Sequence, residues 1–424
     1  MEVRLMPLDL EIAAESSPGT QLNLWMEEYC RQKREEARQE LEALLQSKIE
    51  SIESQFKGPK QKRTKHFQTP FGTIKLVRRA YLEKGHYTCK VDALLGLPAK
   101  GWFSSAEKLA CALGVSLEFA HAARILEETT GIEISDHGLA NRVEQIGEGL
   151  HEELKLTPPE DVYPLDSALH NTVRGQQQGR LRCYVGMDGI MVPLNQGQGY
   201  KEAKVGVVFW QHSHLAVSKK RREVRSKKYC ATLESREVFS ELLFKCFAST
   251  VKEHPCEVVV LGDGARWIWD MASEYYPQAI QILDFHHVSE YVWEVARELH
   301  QDALESQQEW VQTQLQRLKD SRWKDVIEAL RFLRGSPALK VAVDKLKRYL
   351  QNNSERIDYK RYLEMGLMIG SGVVESSNRR VVTQRLKQAG MHWSQRGANA
   401  VMSLRAAYLS DSDSFEEVFK RRTA

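Results

Sequence analysis

Residues 256–270 read CEVVVLGDGARWIWD. Val258 to Leu261 form a short, continuous apolar run that stops at Gly262, Asp263 and Gly264. A run of that length bounded by glycine predicts a buried strand, and the text from Ala265 predicts a helix. Two further stretches share the pattern. RCYVGMDGIMVPL, residues 182–194, is β-rich with Asp188 at its centre, and QAIQILDFHH, residues 278–287, is a strand ending in Asp284. EAKVGVVFWQHSH (202–214) and KYCATL (228–233) predict two more strands, and SREVFSELLFKCFAST (235–250) a helix. Strands alternating with helices, with carboxylates at strand ends, describe an α/β domain whose site lies along one sheet edge.

Beyond this core, residues 288–360 are helical in pattern almost throughout, with one clear turn at Gly335-Ser336-Pro337. They read as an all-helical insertion. Residues 365–393, MGLMIGSGVVESSNRRVVTQRLKQAGMHW, then bring a glycine-rich turn and a new helix. Ser371 or Gly372 would cap that helix and place Glu375 in or just after its first turn. Toward the N-terminus, residues 22–56 predict one long helix, free to pack on the body or pair with another chain, and a basic linker follows Gly58-Pro59. FGTIKLVRRAYL (71–82) predicts a strand or hairpin. Three short helices from Ser104 to Leu150, with glycine-containing turns, fit a helix-turn-helix or an ordinary three-helix bundle. In the former, Asn141, Arg142 and Gln145 would face a DNA groove.

Composition bounds the function. The 424 residues are 42% hydrophobic and 28% charged, a globular composition long enough for two to three domains. No apolar run reaches the ~18 residues of a membrane span. The N-terminal text lacks a secretory h-region, and seven scattered cysteines without a C-x-x-C pair fit a reduced cytoplasmic compartment. The net charge is only +3, from 60 basic and 57 acidic residues, but it is segregated. A basic run includes Lys219 and Arg221, another spans Lys57 to Lys65, and no acid occurs from Ser376 to Arg405. Arg379, Arg385 and Lys387 lie in that last stretch and would suit phosphate contacts. Trp393 would either stack on an unpaired base or pack in the core. Trp210, Trp267, Trp269 and Trp293 are expected in the core.

Asp188, Asp263 and Glu375 come from separate elements, the two aspartates beside glycine and Glu375 three residues after Gly372. Gathered at one edge, such carboxylates hold two hard cations, Mg²⁺ or Mn²⁺, and support in-line phosphoryl transfer. An Asp before Gly is by itself an ordinary turn residue; the order of strand Asp, strand Asp and helical Glu is the more specific signal. VGMDG, VVLGDGARWIW, ILDFHHVSEY, MIGSGVVES and QRLKQAGMHWS together resemble the ISKra-type bacterial insertion-sequence transposases, within the DDE group with a ribonuclease H-like core. The resemblance spans roughly residues 70–409. It implies Asp188, Asp263 and Glu375 as the metal-binding catalytic triad. DFHH is similar to the Cys/Asp-x-x-His signature of Mutator-like transposases, which implies a supporting role for Asp284 and His287. From its position, His286 is expected to face the core. Members of the ISKra-type family often carry paired cysteines near the counterpart of Thr88–Lys90; only Cys89 stands here, so no zinc is assigned.

The expected organisation is a long helix over 1–60, a small β-containing segment over 61–103 and a helix-turn-helix DNA-binding domain over 104–155. A linker over 156–180 leads to a ribonuclease H-like catalytic domain over 181–299 and 361–410, interrupted by the insertion at 300–360 and followed by a tail at 411–424. The expected function is a transposase that binds terminal inverted repeats and target DNA as a homodimer or larger assembly, with no membrane partner, at the bacterial nucleoid. The competing readings are a catalytically silent DNA-binding regulator and a metal-dependent nuclease that does not join strands.

Overall fold

The computed structural model describes residues 18–157 and 181–420, except positions 59, 84, 196, 219, 220, 225, 253, 255, 302, 371, 411 and 412. The chain divides into two compact units, residues 1–140 with 416–424, and residues 141–415.

The first unit opens with helix α1 (Pro18–Glu53), 36 residues long. Strands β1 (Lys60–Thr69) and β2 (Gly72–Glu83) form an antiparallel hairpin, and β3 (His86–Thr88) pairs with the end of β2. The basic segment expected as a linker is therefore mostly strand β1. A run such as KQKRTK carries no apolar alternation, so its strand character comes from pairing with β2 rather than from its own composition. Ile74 and Leu76 of β2 pack with Phe67 of β1, Ile49 of α1, and Val91 and Leu97 around helix α2 (Lys90–Leu95). Buried Arg78 is neutralised by Asp92 of α2.

Helix α1 also completes the sheet. Beyond the bonds to β1, backbone N–H groups of alternate β2 residues donate to its side chains: Lys75 to Glu42 at 3.0 Å, Val77 to Gln46 at 2.9 Å, and Arg79 to Glu53. Gln46 returns a hydrogen bond to the Val77 carbonyl at 3.1 Å. From Glu42 to Gln46 four helical residues climb about 6 Å while Lys75 to Val77 climb about 6.8 Å, so that turn keeps step with alternate amides, and Glu53 reaches Arg79 from two turns further on.

Helices α3 (Ser104–Ser116) and α4 (Phe119–Thr130) pack together, and α4 stops at Gly131, whose φ of 76° is the left-handed value a C-cap glycine supplies. Helix α5 (Asp136–Leu156) follows. The three expected helices are present. The unit boundary falls after Ala140, so Asn141, Arg142 and Gln145 belong to the second unit. Residues 158–180, within the expected linker, lie outside the described residues.

The second unit is built on a five-stranded sheet. Its strands are β4 (Leu181–Pro193), β5 (Tyr200–Trp210), β8 (Lys228–Thr232), β9 (Cys256–Gly262) and β10 (Ile280–Leu283), in the order β10-β9-β4-β5-β8. Strands β4, β5 and β8 are antiparallel neighbours, whereas β9 and β10 run parallel to β4. Every residue of β9 is buried, which is why it reads as an unbroken apolar run. A small hairpin, β6 (His214–Ser218) with β7 (Arg221–Val224), lies between β5 and β8.

Helix α6 (Arg236–Val251) packs on β5 and β8, and α7 (Arg266–Tyr275) links β9 to β10. The helical stretch begins directly after β10, earlier than the expected boundary at 300. It comprises α8 (Phe285–His300), α9 (Leu304–Lys319), α10 (Trp323–Arg331), α11 (Pro337–Asn352) and α12 (Tyr359–Glu364). Then follow α13 (Gly372–Asn378), a π-helical turn over Arg379–Thr383, α14 (Gln384–Leu386), α15 (Gln395–Leu409) and α16 (Ser414–Lys420). Of the tryptophans expected in the core, Trp269 is buried and donates to Asn353 at 3.0 Å. No helix among the described residues is long and apolar enough to cross a membrane.

The role of α1 at the β2 edge is testable. Replacing Gln46 by Leu leaves the Val77 N–H and carbonyl without partners at a half-buried edge. The expected loss is about 1–3 kcal/mol in urea unfolding, with faster amide exchange at Val77; unchanged exchange there would show that water serves the edge equally well.

Candidate active site

The site starts from strand register. Gly186 of β4 lies opposite Leu261 of β9, and Gly262 of β9 lies opposite Leu283 of β10. Continuing those parallel registers puts Asp188, Asp263 and Asp284 at one level on three adjacent strands. Asp263 and Asp284 stand just past their strands' C-terminal ends, whereas β4 runs on to Pro193 beside β5.

Each acid is held locally. Asp188 Oδ1 accepts from the Gly189 N–H at 2.7 Å, and its Oδ2 accepts from the side-chain amide of Asn378. Asp263 Oδ1 accepts from the Ala265 N–H at 2.9 Å, and its carbonyl accepts from the hydroxyl of Tyr349 on α11. Asp284 is buried and caps α8 by accepting from the His286 N–H at 2.8 Å. The Asp284 N–H donates to the Gly262 carbonyl at 2.8 Å, and Phe285 N–H to the Ile369 carbonyl at 2.8 Å. That second bond ties the start of α8 to the segment leading into α13.

Helix α13 reaches the site because of Gly186. A Cβ built there would come within 2.3 Å of Val374 Cγ2, far inside any real contact. Val374 therefore rests where only a glycine permits it. Gly186 and Asp188 are two residues apart on one strand face, and Val374 and Asn378 are four apart on one helix face. The two steps, about 6.6 Å along the strand and about 6 Å along the helix, nearly match, so seating Val374 on Gly186 delivers Asn378 to Asp188.

Asp188 and His287 both feel their surroundings. Burial foremost, and then the neighbouring Asp263 carboxylate, push Asp188 up to about 6, although Gly189, His287 and Asn378 favour its ionised form. His287, in the first turn of α8, has Nε2 3.6 Å from Asp284 and Nδ1 3.2 Å from Glu290. Burial of the ring opposes its charge, but Asp284, Asp188, Glu290 and Asp263 outweigh that and raise its pKa above the ordinary value. Asp263 and His287 open onto a cleft of ≈ 500 Å³ lined also by Tyr291, Trp293, Arg297 and Lys345.

The structure thus brings together Asp188, Asp263, Asp284 and His287. Glu375 lies in the first turn of α13, exposed, three residues before Asn378. The Asp188–Asp263–Glu375 set is not closed into a chelate. Among the described residues, the one group of three His, Cys, Asp or Glu side chains with ligand atoms within 4.8 Å of one another is His151, Glu152 and Glu234. There the Lys155 ammonium already bonds Glu152 at 3.1 Å and Glu234 at 3.2 Å, and His151 bridges Glu234 and Ser403 at 2.8 Å each.

The expected DNA contacts separate into surface and interior. Asn141 and Gln145 are exposed, and Arg142 is half-buried and donates to Gln145 at 3.3 Å. Arg379 and Lys387 are exposed, as is Arg380. Arg385 and Trp393 are corrected to the interior. Arg385 is fully buried with its guanidinium 5.0 Å from the Trp393 ring, and the Trp393 indole donates to the Leu386 carbonyl at 3.1 Å. Arg405 of the same acid-free stretch is also buried, donating to the Arg380 carbonyl at 2.6 Å. His286, expected in the core, is exposed. Lys219 lies outside the described residues, as does the side chain of Arg221.

A family model described as "Uncharacterised protein family (UPF0236)" matches residues 21–422. No curated protein matches this sequence.

Two outcomes follow from the geometry. Gly186→Ala should shift α13 off β4 and destabilise the protein by about 1–3 kcal/mol, read as a lowered denaturant midpoint. Asp188 binds its proton more tightly folded than unfolded, so it lowers stability as pH rises from about 4 to about 6. In chelator at pH 7, Asp188→Asn should therefore be more stable than the parent, by up to about 3 kcal/mol, and the difference should vanish below pH 4. Equal stability at both pH values would contradict the burial of an ionised Asp188.

Proposed function

The chain belongs to the family UPF0236, and from its site we propose that it is a DNA transposase of the DDE type, acting by metal-dependent phosphoryl transfer on the ends of a mobile element. The observation that carries this reading is the alignment of Asp188 and Asp263 on adjacent parallel strands, with Glu375 on the helix seated against β4. The sheet, a three-stranded antiparallel meander continued by two parallel strands, is compatible with a ribonuclease H-like core.

The donor set fits Mg²⁺ or Mn²⁺. It is all oxygen, as hard cations prefer, and the burial and neighbouring carboxylate that raise Asp188 are what a bound cation would offset. Asp188, Asp263 and Glu375 would hold two such ions. When bound, the ions would supply Lewis acidity for the attacking and leaving oxygens of an in-line displacement.

The chain's own residues do the rest. Asp284 keeps α8 capped beside the acids, and the four carboxylates around His287 favour its protonated form. Arg379, Arg380 and Lys387 sit on the surface just beyond Glu375 and would take phosphates of the bound strand. Glu375 has to move toward the aspartates, and a DNA backbone drawn in by those cations would favour that approach. Helix α5 would recognise inverted repeats through Asn141, Arg142 and Gln145. Paired ends call for a homodimer or larger assembly, working on the nucleoid in the cytoplasm.

Strand transfer with labelled inverted-repeat DNA and Mg²⁺ or Mn²⁺ tests the reading. Alanine at Asp188, Asp263 or Glu375 should lower joining at least a thousandfold, about 4 kcal/mol of barrier, while repeat binding persists. Binding without cleavage in the parent protein would identify a regulator, and cleavage without joining a nuclease. Full activity in all three variants would remove the triad.

A further inference from the structure

Asn378 belongs to none of the roles assigned so far. It is the last residue of α13, and the π-helical turn Arg379–Thr383 begins immediately after it. Such turns inside helices concentrate at functional sites. The residue is 8% exposed. One end is committed, because Nδ2 donates to Asp188 Oδ2. The other end, Oδ1, is buried without a hydrogen-bond partner.

The orientation of the amide follows from chemistry. An ionised carboxylate only accepts, so the amide must present its N–H to Asp188 and leave its carbonyl oxygen on the opposite side. A buried carbonyl oxygen with no donor forfeits its hydration, and natural interiors seldom leave one so. Here the unpaired oxygen is not on a peripheral loop. It lies beside an aspartate that shares its surroundings with a second aspartate. The missing partner must be a hydrogen donor or a cation, and it must be small enough for a buried position.

Resting on the metal-dependent reading, we propose that Asn378 is a positioning residue of the ion site: Nδ2 holds Asp188, and Oδ1 accepts a hydrogen from a water in the shell of a divalent cation bound at Asp188 and Asp263. Magnesium sheds its waters reluctantly and keeps several when carboxylates bind it. An outer acceptor that orients one of those waters typically changes ion affinity ten- to a hundredfold. The same amide would couple occupancy to the chain, since Asn378 and Glu375 share α13. A cation that engages Oδ1 through its water would steady the turn that carries Glu375.

The test is Mn²⁺ binding to the full-length protein without DNA, followed by the electron paramagnetic resonance signal of free Mn²⁺, with Mg²⁺ as competitor. Asn378→Leu has nearly the same shape and removes both polar ends together. It should weaken Mn²⁺ binding ten- to a hundredfold while leaving the Tm in chelator unchanged or raised. Asn378→Asp keeps an acceptor but sets a carboxylate against Asp188. It should lower the Tm in chelator and show a larger Mn²⁺-induced rise than the parent. Binding by the leucine variant within twofold of the parent would overturn the inference, as would an aspartate variant with no enlarged response. A double variant, Asp188→Asn with Asp263→Asn, separates the two levels. Mn²⁺ binding unchanged in it would remove the ion site and the metal-dependent reading with it, whereas binding that needs the aspartates but not Asn378 would remove only the role proposed here.

Discussion

The contact of Val374 with Gly186 governs the geometry of the second unit's candidate site. A side chain on Gly186 would occupy the space that Val374 fills, so a single missing Cβ sets how near α13 can lie to β4. Everything beyond that contact is arithmetic of pitch. The helix and the strand advance by similar steps, and a polar residue one helical turn along meets an acid two strand residues along. The short α13 needs no great stability of its own to do this, because its apolar side is clamped and its lead-in segment is bonded to the start of α8 through Ile369 and Phe285.

The acids show the opposite economy. Strand pairing, which is indifferent to side-chain charge, brings Asp188, Asp263 and Asp284 to one level, and burial then makes their company unfavourable. The raised Asp188 measures that conflict. The Gly189 backbone donor, Asn378 and His287 soften it. A site arranged this way is held together by the sheet and held apart by its own charges. Such a site gains most from a ligand of high positive charge density.

Much of this was legible in the sequence, for identifiable reasons. A strand buried on both faces must be apolar along its length, so residues 258–261 announce β9 without ambiguity, and an acid just past such a strand stands out. What pairing alone decides was not legible. Strand β1 is written in lysine, arginine and glutamine and looks like a linker until β2 is beside it. The acid-free basic stretch after Glu375 looks uniform in one dimension, yet Arg385 and Arg405 point inward while Arg379, Arg380 and Lys387 point outward. The π-helical turn over Arg379–Thr383 interrupts the helical phase between Glu375 and Arg385, and Arg405 lies on a separate helix. Trp393 shows the same limit: its main chain bridges to Leu194 and its indole bonds Leu386, neither contact being visible as a spacing. Asn378 carries no motif at all, and only the packing of α13 on β4 gives it meaning.

The side chains of α1 that serve β2 have a consequence for how the first unit is made and lost. A sheet edge served by Glu42, Gln46 and Glu53 is not available to another strand. The protection is detachable, however, since it comes from a separate helix rather than from a neighbouring strand. A protease cut within the helix ahead of Arg34 would leave those three residues in place and the sheet sealed. A cut between Gln46 and Glu53 would free most of the seal and bare a row of amides beside an apolar face. Newly synthesised chains meet the helix before the hairpin, so the cover for this edge exists before the edge does.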